Sequence, residues 1–305
     1  MNKVIFTLTL SLFVTASLLS WQRESQNTSE SFFGQKPPGM IPELFAPGIL
    51  STDGNEFNSA FSPDGTQLFF TVVKEENEFI WMMEFADGKW GERRMAPFSG
   101  RHRDVDPFIT PDGKRLYFSS NRSSAGIGKN EDCDFWYVDK NDDGSWGTPQ
   151  HLDAPATPGK HDFYFNISRS GTIYYSIFNK DDVGDIFKVR KINGILQSPE
   201  PLGPEINTKY NEHDPCIAPD ESYLIFSSNK PGGYGSNDLY ICFKKSSGFW
   251  AAPINMGREI NSERYEFCPT FSHDVKYFFF SSSRRGNIDV YWVDAKIINK
   301  YKPTH

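Results

Sequence analysis

Cysteine, long apolar runs and surplus positive charge are all scarce in this chain. Its four cysteines in 305 residues, Cys133, Cys216, Cys242 and Cys268, form no C-x-x-C pair. That spacing gives no support to a zinc or dithiol motif, and it favours buried free thiols over disulfides. One apolar stretch, residues 4–19, follows the single cation Lys3 and ends among small residues. It reads as a secretory signal peptide over residues 1–20, cleaved after Ala16 or a few residues later, and it is too short and too rich in Ser and Thr for a membrane anchor. No cysteine follows it, which argues against lipoprotein modification. A net charge of −7 argues against nucleic acid and against an anionic membrane surface as partners. G-x-S-x-G, P-loop and H-E-x-x-H sequences are missing as well, so serine-hydrolase, nucleotide and zincin readings have no footing. No metal or cofactor is expected.

What the chain has in abundance is aromatics and turns. Aromatic residues make up 15%, with 27 Phe, as suits many short β-strands. Residues 212–257 show the organising unit most cleanly: four short apolar stretches separated by turn residues, with no helical pattern. Its first turn recurs as Pro63-Asp64-Gly65, Pro111-Asp112-Gly113, Arg169-Ser170-Gly171, Pro219-Asp220-Glu221 and His273-Asp274-Val275, which makes five copies. A four-strand unit with a period of roughly 40 to 50 residues is the mark of propeller blades.

Charges recur in register with these turns. Nine residues before the third turn residue stands an acid in every copy: Glu56, Asp104, Asp162, Glu212 and Glu266. Another acid opens each third strand: Glu78, Asp134, Asp185, Asp238 and Asp289. Cations Lys74, Arg122, Lys230 and Arg284 close second strands. Repetition around a ring implies architecture, so these groups are expected to pair within or between blades. Along first strands, Phe57/Phe61, Val105/Ile109, Phe163/Ile167 and Phe267/Phe271 share one parity, as a strand with one buried face requires. Trp90, Trp146 and Trp250 are assigned to blade packing.

The predicted fold is all-β: a five-bladed β-propeller with four antiparallel strands per blade. The fifth copy lacks a G-x-W-x-x-P ending, whereas Pro42-Glu43-Leu44-Phe45 matches that ending ahead of the first copy. An N-terminal strand therefore closes the ring and leaves no exposed edge. Residues 21–39 read as a flexible leader and residues 40–305 as one propeller domain, expected to be a monomer. The S-P-D-G turn with its preceding acid, L-Y-F-S-S-N-R, G-G-Y-G-S-N-D-L-Y, G-x-W-x-x-P and L-G-P-E-I-N-T resemble the TolB-type repeats, relatives of the WD repeats common in exported proteins of Gram-negative bacteria. That resemblance covers roughly residues 42–293 and implies the fold. It implies a periplasmic or secreted location, and a role ranging from interaction module to, on related propellers, elimination from uronate polysaccharides. The third copy departs most, with Leu196 where a tryptophan is expected.

If the repeat is architecture, function lies where copies differ around the channel mouth. The loops entering first strands carry Arg101, His102, Arg103, Lys160, His161, Lys209, Tyr210, His213, Arg264 and Tyr265. Arg101, Arg103, Lys160, Lys209 and Arg264, joined by Arg285, are expected to make the mouth attract anions, so the expected partner is an anionic, uronate-containing and possibly sulfated oligosaccharide. Should the site be catalytic, β-elimination is the chemistry these residue types allow. A cation neutralises the uronate, and base and acid come from His102, His161, His213, Tyr164, Tyr210 and Tyr265. Two alternatives stand beside it. One is a non-catalytic binding or scaffolding propeller; the other is a glycoside hydrolase using Asp106 and Asp214, which lie beside the repeated acids.

Overall fold

The turns and apolar stretches fold into five antiparallel sheets, each a blade; four have four strands, and the first has a fifth short one. The structure, a computed structural model, describes residues 32–123, 129–152, 161–193 and 195–303. The signal-peptide segment, most of the leader and Lys160 fall outside the described residues.

Innermost strands run over Asn55–Phe61, Asp104–Ile109, His161–Ile167, Glu212–Ile217 and Glu266–Phe271. Each neighbours the next, and the fifth touches the first, so the circuit is closed. Fourth strands shrink to two residues, and that of the fifth blade is Glu43–Leu44, paired with Trp292 and Tyr291. Ring closure by the N-terminal strand is therefore as the sequence predicts. Among the described residues helix is confined to the turn Gly257–Ile260 and the 3-10 segment Ala295–Tyr301. Among the described residues no helix is long and apolar enough to cross a membrane.

A radial fold needs a core between each pair of blades, and five apolar clusters fill these wedges while a sixth lies on the axis. Trp146 and Trp250 sit in the wedges, and Leu196 packs against another in the third blade. The four cysteines are buried free thiols.

The repeated acids are structural. Asp104 is fully buried, accepts from Ser99 and Ser120 and pairs with Arg122 at 2.7 Å. Glu212 and Glu266 accept from Ser228 and Ser282 in the same register. The first hydroxyl of each Ser-Ser pair faces the neighbouring blade instead, and equivalents Ser281, Thr71 and Ser176 accept from Asn58, Asp106 and Asp214 N–H at 2.9, 3.4 and 2.9 Å. These bonds cross from one blade to the next.

Two expectations are altered. Every innermost strand carries a β-bulge, for example between Phe57 and Ala60, so the anticipated parity does not persist along it. Phe57, Val105, Phe163 and Phe267 belong to the axial cluster, whereas Phe61, Ile109, Ile167 and Phe271 pack into wedges. An extra residue on one strand reverses which face the following side chains take. The described end of the leader is also docked. Phe32 meets Tyr277 and Trp292 with ring centroids at 5.1 Å, and Gln35 bridges Leu44 O and Ala46 N at 2.8 and 2.9 Å.

Candidate functional site

The bulge residue of each blade adopts positive φ: Asn58 at 56°, Asp106 at 57°, Tyr164 at 61°, Asp214 at 55° and Cys268 at 48°. Only sparse left-handed backbone space lets the chain turn this way outside glycine, and bulges are where strands re-aim side chains. All five are buried. One fold position thus carries five side chains of four chemical kinds, and two of the five are carboxylic acids.

Asp106 and Asp214 share a pocket of about 350 Å³ at one end of the channel, walled by Phe57, Phe163, Phe178, Tyr265 and Phe267. Cys268 joins the two acids. Its backbone N–H donates to Asp214 Oδ2 at 3.0 Å, and its thiol meets Asp106 Oδ1 at 3.8 Å. Burial, with Asp214 nearby as a like charge, pushes the Asp106 carboxyl up to about 8, against the opposing pull of Arg103. Near neutral pH Asp106 therefore keeps its proton.

His213 lies beside Asp214, with Nδ1 to Oδ1 at 3.2 Å. Asn237 Nδ2 donates to His213 Nε2 at 2.8 Å, and Tyr265 Oη lies 3.3 Å from the same nitrogen. A ring nitrogen that accepts carries a lone pair, which assigns the proton to Nδ1 and makes Nδ1–H the donor to Asp214. By the same reasoning His161, whose Nδ1 accepts from Cys133 N–H at 3.1 Å, presents Nε2–H. Glu78 at the rim is ion-paired with Arg103, whose guanidinium lies 5.0 Å over the Phe163 ring.

Of the residues singled out in the sequence, Arg103, His161, His213 and Tyr265 line this pocket. Tyr164 lies in the axial cluster, donating to Pro269 O at 2.6 Å. Burial raises its phenol, like that of Tyr265, well above the usual range. His102 and Arg101 line a separate pocket with Phe98 and Trp136. Tyr210 stands at the fourth blade's entering loop under Lys209, whose Nζ is 5.2 Å from its ring. Arg264 is exposed, and Arg285 reaches Asp289 at 3.8 Å. Among the described residues, one of the expected cations, Arg103, faces the pocket, opposite the carboxyls of Glu78, Asp106, Asp182 and Asp214. Asp106 and Asp214 carry a signal the sequence already held: the position two residues after each repeated acid varies from copy to copy while the acid itself recurs. Among the described residues no group of three or more His, Cys, Asp or Glu is arranged to hold a metal.

No family model matches the chain, and no curated protein matches it. Solved structures do. A putative TolB from Agrobacterium tumefaciens is 16% identical, covering 80% of this chain and 78% of its own, with a TM-score of 0.52. The catalytic domain of the Coprinopsis cinerea GH62 alpha-L-arabinofuranosidase is 11% identical, covering 84% and 97%, with a TM-score of 0.52. The Podospora anserina alpha-L-arabinofuranosidase is 11% identical, covering 84% and 96%, at 0.51. At these identities the likeness is one of fold alone, a β-propeller.

Proposed function

We propose that this protein is an exported, carbohydrate-active hydrolase whose site is the mouth pocket, with Asp106 as general acid and Asp214 as its partner carboxyl, acting as base or nucleophile. The observation that carries this reading is the carboxyl pair itself. Asn, Tyr and Cys occupy the same bulge in the other blades, so the ring does not require acid there. Two carboxyls on one pocket, one of them kept protonated by burial, are the arrangement glycoside hydrolysis uses. Asp106 gives its proton to the leaving glycosidic oxygen as the anomeric C–O bond breaks. Asp214 takes a proton from the water whose oxygen bonds to that carbon, or attacks the carbon first. The arabinofuranosidases among the fold neighbours are in keeping with this class.

Charge favours a neutral glycoside. Among the described lining residues the one Lys or Arg is Arg103, which Glu78 engages, so a uronate entering beside Asp182 and Asp214 would meet acidic side chains there. Elimination across a uronic acid is the second reading, favoured by Arg103, His161, His213 and Tyr265 around one pocket. A TolB-like binding role without chemistry is the third.

A panel of neutral oligosaccharides and aryl glycosides, arabinosides included, alongside uronate oligosaccharides, separates the three. Hydrolysis of a neutral glycoside is expected, reduced about 10²- to 10⁴-fold in Asp106→Asn and Asp214→Asn proteins that still fold. Growth of the unsaturated-uronate absorbance band would instead select elimination, and binding without turnover the non-catalytic role.

A further inference from the structure

Four of the five innermost strands place an apolar side chain directly before the bulge: Phe57, Val105, Phe163 and Phe267, all on the axis. The fourth blade places His213 there, and it is 3% exposed. A buried imidazole costs free energy unless its nitrogens are matched, so the exchange of a phenylalanine for a histidine at one blade in five needs a reason. The fold provides none, since a phenyl ring fills this position in three other blades.

We infer that His213 is a positioning residue for Asp214: its Nδ1–H fixes the carboxylate's orientation, and Asn237 and Tyr265 fix the imidazole in turn. This rests on the acid-base reading of the carboxyl pair. Each link has its own geometry. Asn237 is 7% exposed, and its amide reaches both His213 Nε2 at 2.8 Å and Ser227 Oγ at 3.4 Å, so it is anchored on the same blade's second strand. Tyr265 enters from the fifth blade and stacks on the imidazole at 6.1 Å between centroids, tilted by 23°. From the third blade, Phe178 closes the other side at 5.7 Å. The imidazole is thereby held in rotation and in tautomer, and one oxygen of Asp214 is occupied by Nδ1–H while Cys268 N–H takes the other. Orientation of a base by a second hydrogen-bonded group is the general logic of catalytic dyads and triads.

Titratable groups surround the pair from every neighbouring blade: Glu78 from the first, Arg103 and Cys133 from the second, His161, Tyr164 and Asp182 from the third, and Tyr265 and Cys268 from the fifth. A readout local to the carboxyls is therefore needed. In the full chain with ¹³C-labelled aspartate carboxyls, titrated by NMR, the lower of the pair's two proton-release steps is expected to move to higher pH in His213→Phe, because a donor to the ionised form is lost. His213→Asn, whose amide N–H can stand in for Nδ1–H, is expected to restore most of it. Both variants should fold, His213→Phe because it restores the side chain of the other blades. An unchanged titration in His213→Phe, or a His213→Asn protein that behaves like His213→Phe, would overturn the inference whether or not any glycoside is turned over. Where turnover is found, His213→Phe is expected to lower kcat roughly tenfold or more with KM little changed. A rise in KM alone would also overturn it.

Discussion

Asp106 is the residue whose chemistry is most exposed to test. Its folded carboxyl sits at about 8 against an ordinary 3.8, through burial first and Asp214 second. The folded protein therefore holds a proton that the unfolded chain releases between those two values. The contribution to stability is fully present below the ordinary value and is lost as pH rises through about 8. Raising the pH over this window should lower the thermal midpoint of the native protein, and Asp106→Asn should flatten that slope. Under the proposed reading, turnover needs that proton and should fall over the same upper limb. A rate unchanged well above that limb would remove Asp106 as the acid.

At the scale of the element, the bulge explains a hydroxyl that the repeat seemed to hold for no purpose. In three blades the second strand's hydroxyl caps the next blade's bulge N–H: Ser281 for Asn58 at 2.9 Å, Thr71 for Asp106 and Ser176 for Asp214. Ser119, at the equivalent place ahead of Tyr164, has its buried oxygen without a hydrogen-bond partner. Ser281→Ala should thus cost about 1 to 3 kcal/mol by leaving a buried N–H unmet, while Ser119→Ala should stay within about 0.5 kcal/mol. Denaturant midpoints of the two variants provide the comparison, and equal costs would show that the cap contributes nothing.

For the whole molecule, closure decides whether the ring unfolds as one body. The strand Glu43–Leu44 completes the fifth blade, and Phe45 behind it is fully buried against Phe279 and Trp292. Phe32 and Gln35 then fasten this strand from outside. A chain lacking residues 32–50 should lose several kcal/mol, since it exposes a sheet edge and a large aromatic cluster together. Melting should shift to markedly lower temperature and expose dye-binding apolar surface. An unaltered melt would mean that the fifth blade stands without its fourth strand.

By itself the sequence determined the number of blades, the closing strand and the architectural role of the repeated acids. Each of those follows from periodicity, which is local and survives in a linear reading: Asp104, Glu212 and Glu266 lie where their recurrence puts them, bonded to serines of their own blades. Which unrepeated residues meet at the mouth was decided only by the tertiary structure. Alternation along an innermost strand misjudges direction past a bulge, and the left-handed turn there is what aims Asp106 and Asp214 into the pocket. The sign of the mouth is likewise set by three-dimensional pairing. Arg103 is engaged by Glu78 from the preceding blade, and Arg285 by Asp289 four residues on, so a count of cations along the chain does not give the charge a ligand would meet. Side chains distant in sequence converge only when the ring closes, and no local pattern encodes that geometry.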